Sequence, residues 1–137
     1  EAGLAEVLKQ LRKADNRIQL KRKNPRAFDD FCRRFMQHSS QGSAHVTRRV
    51  MARRPSLFNM RRALHSMKVP AHVVVGDEDP GAIDSALFMK QVGPSVRLSV
   101  VPATGHLVNL EEPDLFHRLT ENFFALVDSK KWRPRGK

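Results

Sequence analysis

The 137-residue sequence lacks several features that define common classes of protein. It has a single cysteine, Cys32, so no disulfide can form within the chain, and a reducing compartment such as the cytoplasm is expected. No apolar run approaches the roughly 18 residues of a membrane span, and the first twenty residues show no signal-peptide core. The sequence therefore predicts neither a disulfide scaffold nor a membrane span, and its length suits one domain.

Motifs for binding cofactors and metals are also missing. The sequence has no glycine-rich loop to hold a phosphate, and no calcium loop follows Asp77 and Asp79. Two histidine pairs are spaced by seven residues instead of the four of a helical zinc motif, and there is no second cysteine. We therefore expect no cofactor and no bound metal.

Negative charge is scarce at both ends of the chain. Residues 1–68 carry 17 Lys and Arg against 5 Asp and Glu, residues 69–128 carry 3 against 9, and residues 129–137 carry 5 against none. A basic first half is compatible with a module that binds nucleic acid or an anionic surface. Its basic residues alternate with apolar ones at helical spacing, however, and Trp132 is the only aromatic residue in the basic clusters. We therefore expect solvated helices and no specific recognition of nucleic acid.

The first 67 residues predict short helices only. Apolar residues recur at helical spacing from Leu4 to Leu11, which predicts a helix over about residues 3–13. Asn24 followed by Pro25 is a typical helix start and predicts a helix through about residue 38. The pattern then predicts a turn over 39–43, a helix over 44–53 and another helix that opens at Pro55-Ser56.

Beyond residue 70 the pattern changes to alternating strands and helices. The valine-rich run 71–75, closed by Gly76, is typical of a parallel strand buried on both faces. A helix over 84–92, a strand over 96–101 and an amphipathic helix over 113–127 follow. Because two such strands need neighbours, we expect further strands from upstream of Glu1 or from another chain.

Polar residues follow both predicted strands, as Gly76–Pro80 and Thr104–His106. Because the carboxyl ends of parallel strands meet at one edge of a sheet, we expect an aspartate and His106 to lie side by side there. A carboxylate fixes the tautomer of a neighbouring histidine, which can then act as general base and acid. A solvated acidic turn and a structural glycine-histidine pair remain the alternatives, and strand alternation does not choose between Asp77 and Asp79.

The stretches VPAHVVVGDEDP (69–80) and VPATGHLVNLEEP (101–113) resemble the acid-bearing strand and the histidine loop of the α/β-hydrolase fold superfamily. The resemblance covers residues 69–128. It implies that Asp79, the third residue after the glycine, is the catalytic acid and that His106 is the catalytic histidine. Residues 1–67 resemble only in a general way the helical cap that many members insert before the acid strand.

The nucleophile elbow of that superfamily, Gly-x-Ser-x-Gly, is absent from the sequence. The family order is nucleophile, acid, histidine, so the elbow and the oxyanion-hole amides are expected upstream of Glu1. We interpret the chain as the carboxyl-terminal half of an α/β hydrolase, with a helical cap portion (1–67), the last part of the core (68–128) and a basic tail (129–137). The parent protein would hydrolyse an ester, amide or carbon–carbon bond of a small-molecule substrate, with the amino-terminal half as partner.

Without a nucleophile, the chain alone is expected to be inactive. The alternatives are the basic binding module described above and a non-catalytic remnant that acts through a partner, and the sequence carries no signal of an oligomeric state. Apolar residues of the cap portion are candidates for a substrate pocket, with packing inside the cap as the alternative: Phe28, Phe31, Phe35, Met36, Leu57 and Met60.

Overall fold

The computed structural model describes residues 3–136. Five α-helices precede the sheet: α1 (Leu4–Leu11), α2 (Ile18–Lys23), α3 (Pro25–Met36), α4 (Ser40–Val46) and α5 (Arg61–Ser66). Single turns of other helix types lie at Asp15–Arg17 and Leu57–Met60 (3₁₀) and at Thr47–Met51 (π). The second half follows the order β1 (Ala71–Gly76), α6 (Pro80–Val92), β2 (Val96–Val101), α7 (Val108–Glu111) and α8 (Pro113–Asp128). None of the helices in the described part of the chain is both long and apolar enough to cross a membrane.

Local capping explains where the predicted helix boundaries are right and where they are wrong. The Asn24 side chain accepts a hydrogen bond from the Ala27 amide at 3.0 Å, and α3 begins at Pro25 as predicted. The turn predicted over 39–43 is instead the start of α4, because Ser39 caps the amide of Gly42. Helix α6 begins four residues earlier than predicted, at Pro80, whose ring presets the helical φ angle.

The two strands pair in parallel, with Ala71 opposite Val96 and Gly76 opposite Val101. Main-chain hydrogen bonds continue beyond the strands, from the Asp77 amide to the Val101 carbonyl at 3.0 Å and from the Glu78 amide to the Thr104 carbonyl at 3.0 Å. The loops that follow β1 and β2 therefore leave the sheet side by side.

Gly76 allows these two loops to approach each other. A Cβ atom at this position would collide with the carbonyl oxygens of Thr104 and Gly105. The glycine that closes β1 is therefore required by the closeness of the histidine loop.

The strands are less buried than the sequence predicts. Among the valines of β1 only Val75 is buried, and Val100 of β2 is 44% exposed. Helix α6 packs against both strands, and the His72 ring lies 6.0 Å from the rings of Phe123 and Trp132. Because the sheet has only two strands within residues 3–136, side chains that a wider sheet would cover stay partly exposed.

The main apolar cluster joins the first helices to the histidine loop. Its buried members are Leu8, Leu20, Phe28 and Cys32. Leu107 and Leu110, which follow His106 in sequence, pack against this cluster. The position of the histidine loop therefore depends on helices α1 to α3 as well as on the sheet.

The basic tail (residues 129–137) is attached to the end of the sheet opposite the loops that follow β1 and β2. Buried Trp132 donates its indole N–H to the Ser95 carbonyl at 3.0 Å, and Arg135 donates to the Gly93 carbonyl at 3.1 Å. The guanidinium of Arg97 lies 4.3 Å from the centroid of the Trp132 ring. These contacts place Trp132 beside the amino end of β2.

Candidate functional site

Asp79 and His106 are in contact where the two strands end. Nδ1 of His106 lies 2.5 Å from Oδ2 of Asp79, although the residues are 27 apart in sequence. The aspartate is buried, whereas the histidine side chain is 47% exposed. The carboxylate thus holds the proton on Nδ1 and leaves Nε2 as the unprotonated nitrogen of the neutral ring.

Asn16 contacts both members of this pair. Its side-chain Nδ2 donates to Oδ1 of Asp79 at 3.2 Å, and its carbonyl accepts the main-chain N–H of His106 at 2.8 Å. A Cβ atom at Gly105 would collide with the Asn16 carbonyl oxygen. Asn16 was not predicted from the sequence, because no local pattern links it to a residue 63 positions away.

The charge of Asp79 is stabilised by its surroundings. Burial raises the pKa of this carboxyl, but hydrogen bonds from His106 and Asn16 and the positive charges of His106 and Arg17 more than offset burial. The pKa of Asp79 therefore lies below its ordinary value, and the group is ionised at neutral pH.

Asp77 takes a different partner. Its Oδ1 accepts a hydrogen bond from the main-chain N–H of Thr104 at 3.2 Å, which ties the acid loop to the histidine loop. The structure therefore brings Asp79, and not Asp77, against the imidazole of His106.

Glu111 is buried behind the histidine loop. Its carboxylate accepts the main-chain N–H of Gly105 at 2.6 Å and that of Leu107 at 3.1 Å. These are the residues on either side of His106, so one side chain holds the loop on both sides of the imidazole.

Arg17 interacts electrostatically with both buried acids, Asp79 and Glu111. The charges of Asp79 and Glu111 raise its pKa, but burial has the larger effect and lowers it. Its guanidinium also lies 5.4 Å from the Phe31 ring centroid. Nε and Nη1 are buried without a hydrogen-bond partner among residues 3–136, so Arg17 acts on the two carboxylates through its charge.

Gln19 and Lys23, from the same segment as Asn16 and Arg17, contact side chains in and after the loops that follow β1 and β2. Gln19 donates to both carboxylate oxygens of Glu78 at 2.9 and 2.7 Å. Lys23 contacts Glu112 at 2.5 Å and Thr104 at 3.3 Å. The partners are 59 or more residues apart, so sequence patterns gave no signal for them.

The residues predicted to line a pocket are spread over several locations. A cavity of about 350 Å³ is lined by Ala27, Asp30, Phe31, Arg34, Phe35, His38 and Leu110. Phe31 and Phe35 therefore face this cavity, whereas Phe28 belongs to the buried cluster and Met36 lines a second cavity against α1. Leu57 and Met60 lie on the 3₁₀ turn that precedes α5 and line neither cavity.

Comparisons with known proteins identify the fold. No protein-family model matches the chain, and no curated protein matches its sequence. A search of solved structures finds similarity to MenH from S. aureus, an α/β-hydrolase family member, with a TM-score of 0.70 and 21% sequence identity. The match covers 90% of this chain and 45% of the MenH chain, so this chain spans a little less than half the length of that protein. The predicted fold class is thereby confirmed, and the chain has the fold of part of an α/β hydrolase.

Proposed function

We propose that the chain is the carboxyl-terminal half of an α/β hydrolase and that Asp79 and His106 belong to its nucleophile–histidine–acid triad. The contact of 2.5 Å between His106 Nδ1 and Asp79 Oδ2 is the observation that carries this proposal. The similarity to MenH, which extends over 45% of that chain, supports the assignment to part of a larger enzyme. In this proposal the nucleophile lies outside the 137 residues.

The proposed reaction starts with the nucleophile's hydroxyl group. Its oxygen attacks the carbonyl carbon of an ester, amide or cleavable carbon–carbon bond while Nε2 of His106 takes the proton. The negative charge of Asp79 stabilises the imidazolium that forms. His106 then gives the proton to the leaving group, and a water molecule that is deprotonated by the same ring releases the acyl group from the nucleophile.

We further assign residues 1–67 to the cap portion, residues 68–128 to the core and residues 129–137 to a basic tail. In this arrangement the cavity beside Phe31, Phe35 and Leu110 receives an apolar part of a small-molecule substrate. Leu110, which lines this cavity, lies four residues after His106 in the sequence.

The test begins with the coding sequence upstream of Glu1. We expect about a hundred or more in-frame residues there, with a Gly-x-Ser-x-Gly elbow. The complete protein should hydrolyse a short-chain activated ester, and a serine-directed phosphonylating reagent should abolish the activity. A stop codon in place of the elbow would contradict the proposal.

The basic binding module is tested separately by titration with random duplex DNA. Affinity that falls steeply between low and physiological salt reflects charge alone and agrees with the hydrolase assignment. Tight binding that resists salt would favour the binding module instead.

A further inference from the structure

We infer that Asn16 is a positioning residue for the Asp79–His106 pair, which orients the carboxylate with its side chain and the histidine loop with its main chain. The catalytic consequence of this inference rests on the proposed function. The positioning itself concerns contacts within the described chain and is testable without any hydrolysis.

Both oxygens of the Asp79 carboxylate have a partner. Rotation of a carboxyl group about its last side-chain bond is soft, so a single hydrogen bond does not define its plane. Here Oδ2 faces His106 and Oδ1 accepts from Asn16. With both oxygens engaged, the carboxylate is held in the orientation that the imidazole needs.

Asn16 also holds the histidine loop. The His106 amide donates to the Asn16 carbonyl at 2.8 Å, so the backbone of the loop is fixed to the same residue that fixes the acid. The approach is so close that only glycine fits at position 105. Asn16, which lies in a third segment of the chain, therefore sets the distance between Asp79 and His106.

The hydrogen bond to Asp79 needs the N–H donor of the Asn16 amide. Asp79 is only 5% exposed, so removal of its donor leaves a buried carboxylate oxygen without that hydrogen bond. An aspartate at position 16 has the same shape as asparagine but offers an acceptor in place of the donor. Asn16→Ala thus removes the hydrogen bond, and Asn16→Asp replaces its donor with a second acceptor that faces the Asp79 carboxylate.

The chain provides a matched control in Gln19. Gln19 is also an amide that donates to a carboxylate, and it joins the same segment to the same acid loop through Glu78. That pair is exposed, and its carboxylate is Glu78, whereas the imidazole of His106 pairs with Asp79. Gln19→Ala and Gln19→Glu repeat the chemical changes at a place where no effect on the imidazole is expected.

The experiment is NMR spectroscopy of the labelled complete protein, because the two strands of this chain are expected to need neighbours from outside it. Two signals are followed: the imidazole N–H resonance of His106, whose proton faces Asp79, and the pH titration of the Asp79 carboxyl carbon. Asn16→Ala and Asn16→Asp should broaden or displace the imidazole resonance and raise the pKa of Asp79, with the larger change for Asn16→Asp. Both Gln19 variants should reproduce the signals of the unsubstituted chain, and Asp79→Asn should remove the deshielded resonance.

Amide dispersion in each spectrum shows whether the variant is folded. If Asn16→Ala unfolds, the isosteric Asn16→Asp decides the question. The inference is overturned if the folded Asn16 variants leave both signals unchanged, or if the Gln19 variants change them equally.

The complete enzyme supplies the catalytic readout. Asn16→Ala should lower kcat while KM changes little, because the substitution acts on the histidine and not on substrate binding. An unsubstituted complete protein without hydrolase activity would refute the proposed function and leave the NMR result on Asn16 standing.

Discussion

Asp77 and Asp79 follow the same strand but hold different parts of the histidine loop. Asp77 accepts a hydrogen bond from the main-chain N–H of Thr104, whereas Asp79 lies 2.5 Å from the imidazole of His106. Of two carboxylates separated by one residue, one therefore supports the loop backbone and the other orients the ring. This difference defines the most direct tests of the site.

In the complete hydrolase that we propose, Asp79→Asn should lower kcat by about 10²–10⁴-fold, because the histidine loses its charged and tautomer-fixing partner. The measurement is steady-state hydrolysis of an activated ester. Asp77→Asn is the matched control and should have a much smaller effect, because an amide oxygen can still accept from Thr104. The site assignment is wrong if Asp77→Asn is the crippling change.

His106→Ala should reduce kcat at least as much as Asp79→Asn, because the ring moves the proton and the carboxylate supports the ring. The double variant, His106→Ala with Asp79→Asn, should be no slower than the slower single variant, since the two groups act as a unit. Multiplicative losses in the double variant would show that the two residues act independently.

The 137-residue chain by itself should show no turnover of a short-chain activated ester. It contains an acid and a histidine but no elbow motif, so it lacks both the covalent route and oxyanion-hole stabilisation. Turnover that a serine-directed phosphonylating reagent abolishes would mean that one of the serines present is the nucleophile.

Gly76→Ala should destabilise the fold by about 1–3 kcal/mol, because the added methyl group meets main-chain oxygens of the histidine loop that have little room to move. The free energy of unfolding in urea measures the effect. Gly81→Ala is the control, since a Cβ atom there meets no atom within 4 Å. An equal loss of unfolding free energy at both positions would contradict the close approach of the histidine loop to Gly76.

Stability should fall when the pH is lowered through the titration range of His72. Burial, together with the positive charge of Arg97, lowers the pKa of His72 in the folded chain. The unfolded chain then binds more protons below about pH 6.5, so the stabilisation present above that pH is lost as the pH falls toward the folded pKa. His72→Gln should flatten this part of the curve of unfolding free energy against pH, and an unchanged slope would count against it.

The sequence by itself determined the elements whose signals are local. The strand over 96–101 lies where it was predicted, and α3 begins at Pro25 because Asn24 caps it. That an aspartate would lie beside His106 could be predicted as well, because parallel strands bring their carboxyl ends to one edge, whereas Asp79 in particular was implied only by the resemblance to the α/β-hydrolase fold. Helix α7 was missed, since four residues are too few to show a helical period.

Only the tertiary structure decided which aspartate meets His106 and what holds the two together. Strand alternation treats Asp77 and Asp79 alike, but the chain turns between Gly76 and Asp79, whose amide bonds to the Gly76 carbonyl, and the two side chains take different partners. Asn16, Arg17 and Glu111 carry no motif, and two of them reach the acid from more than 60 positions away. Their roles depend on distance, burial and charge, which arise when helices α1 to α3 pack against the histidine loop.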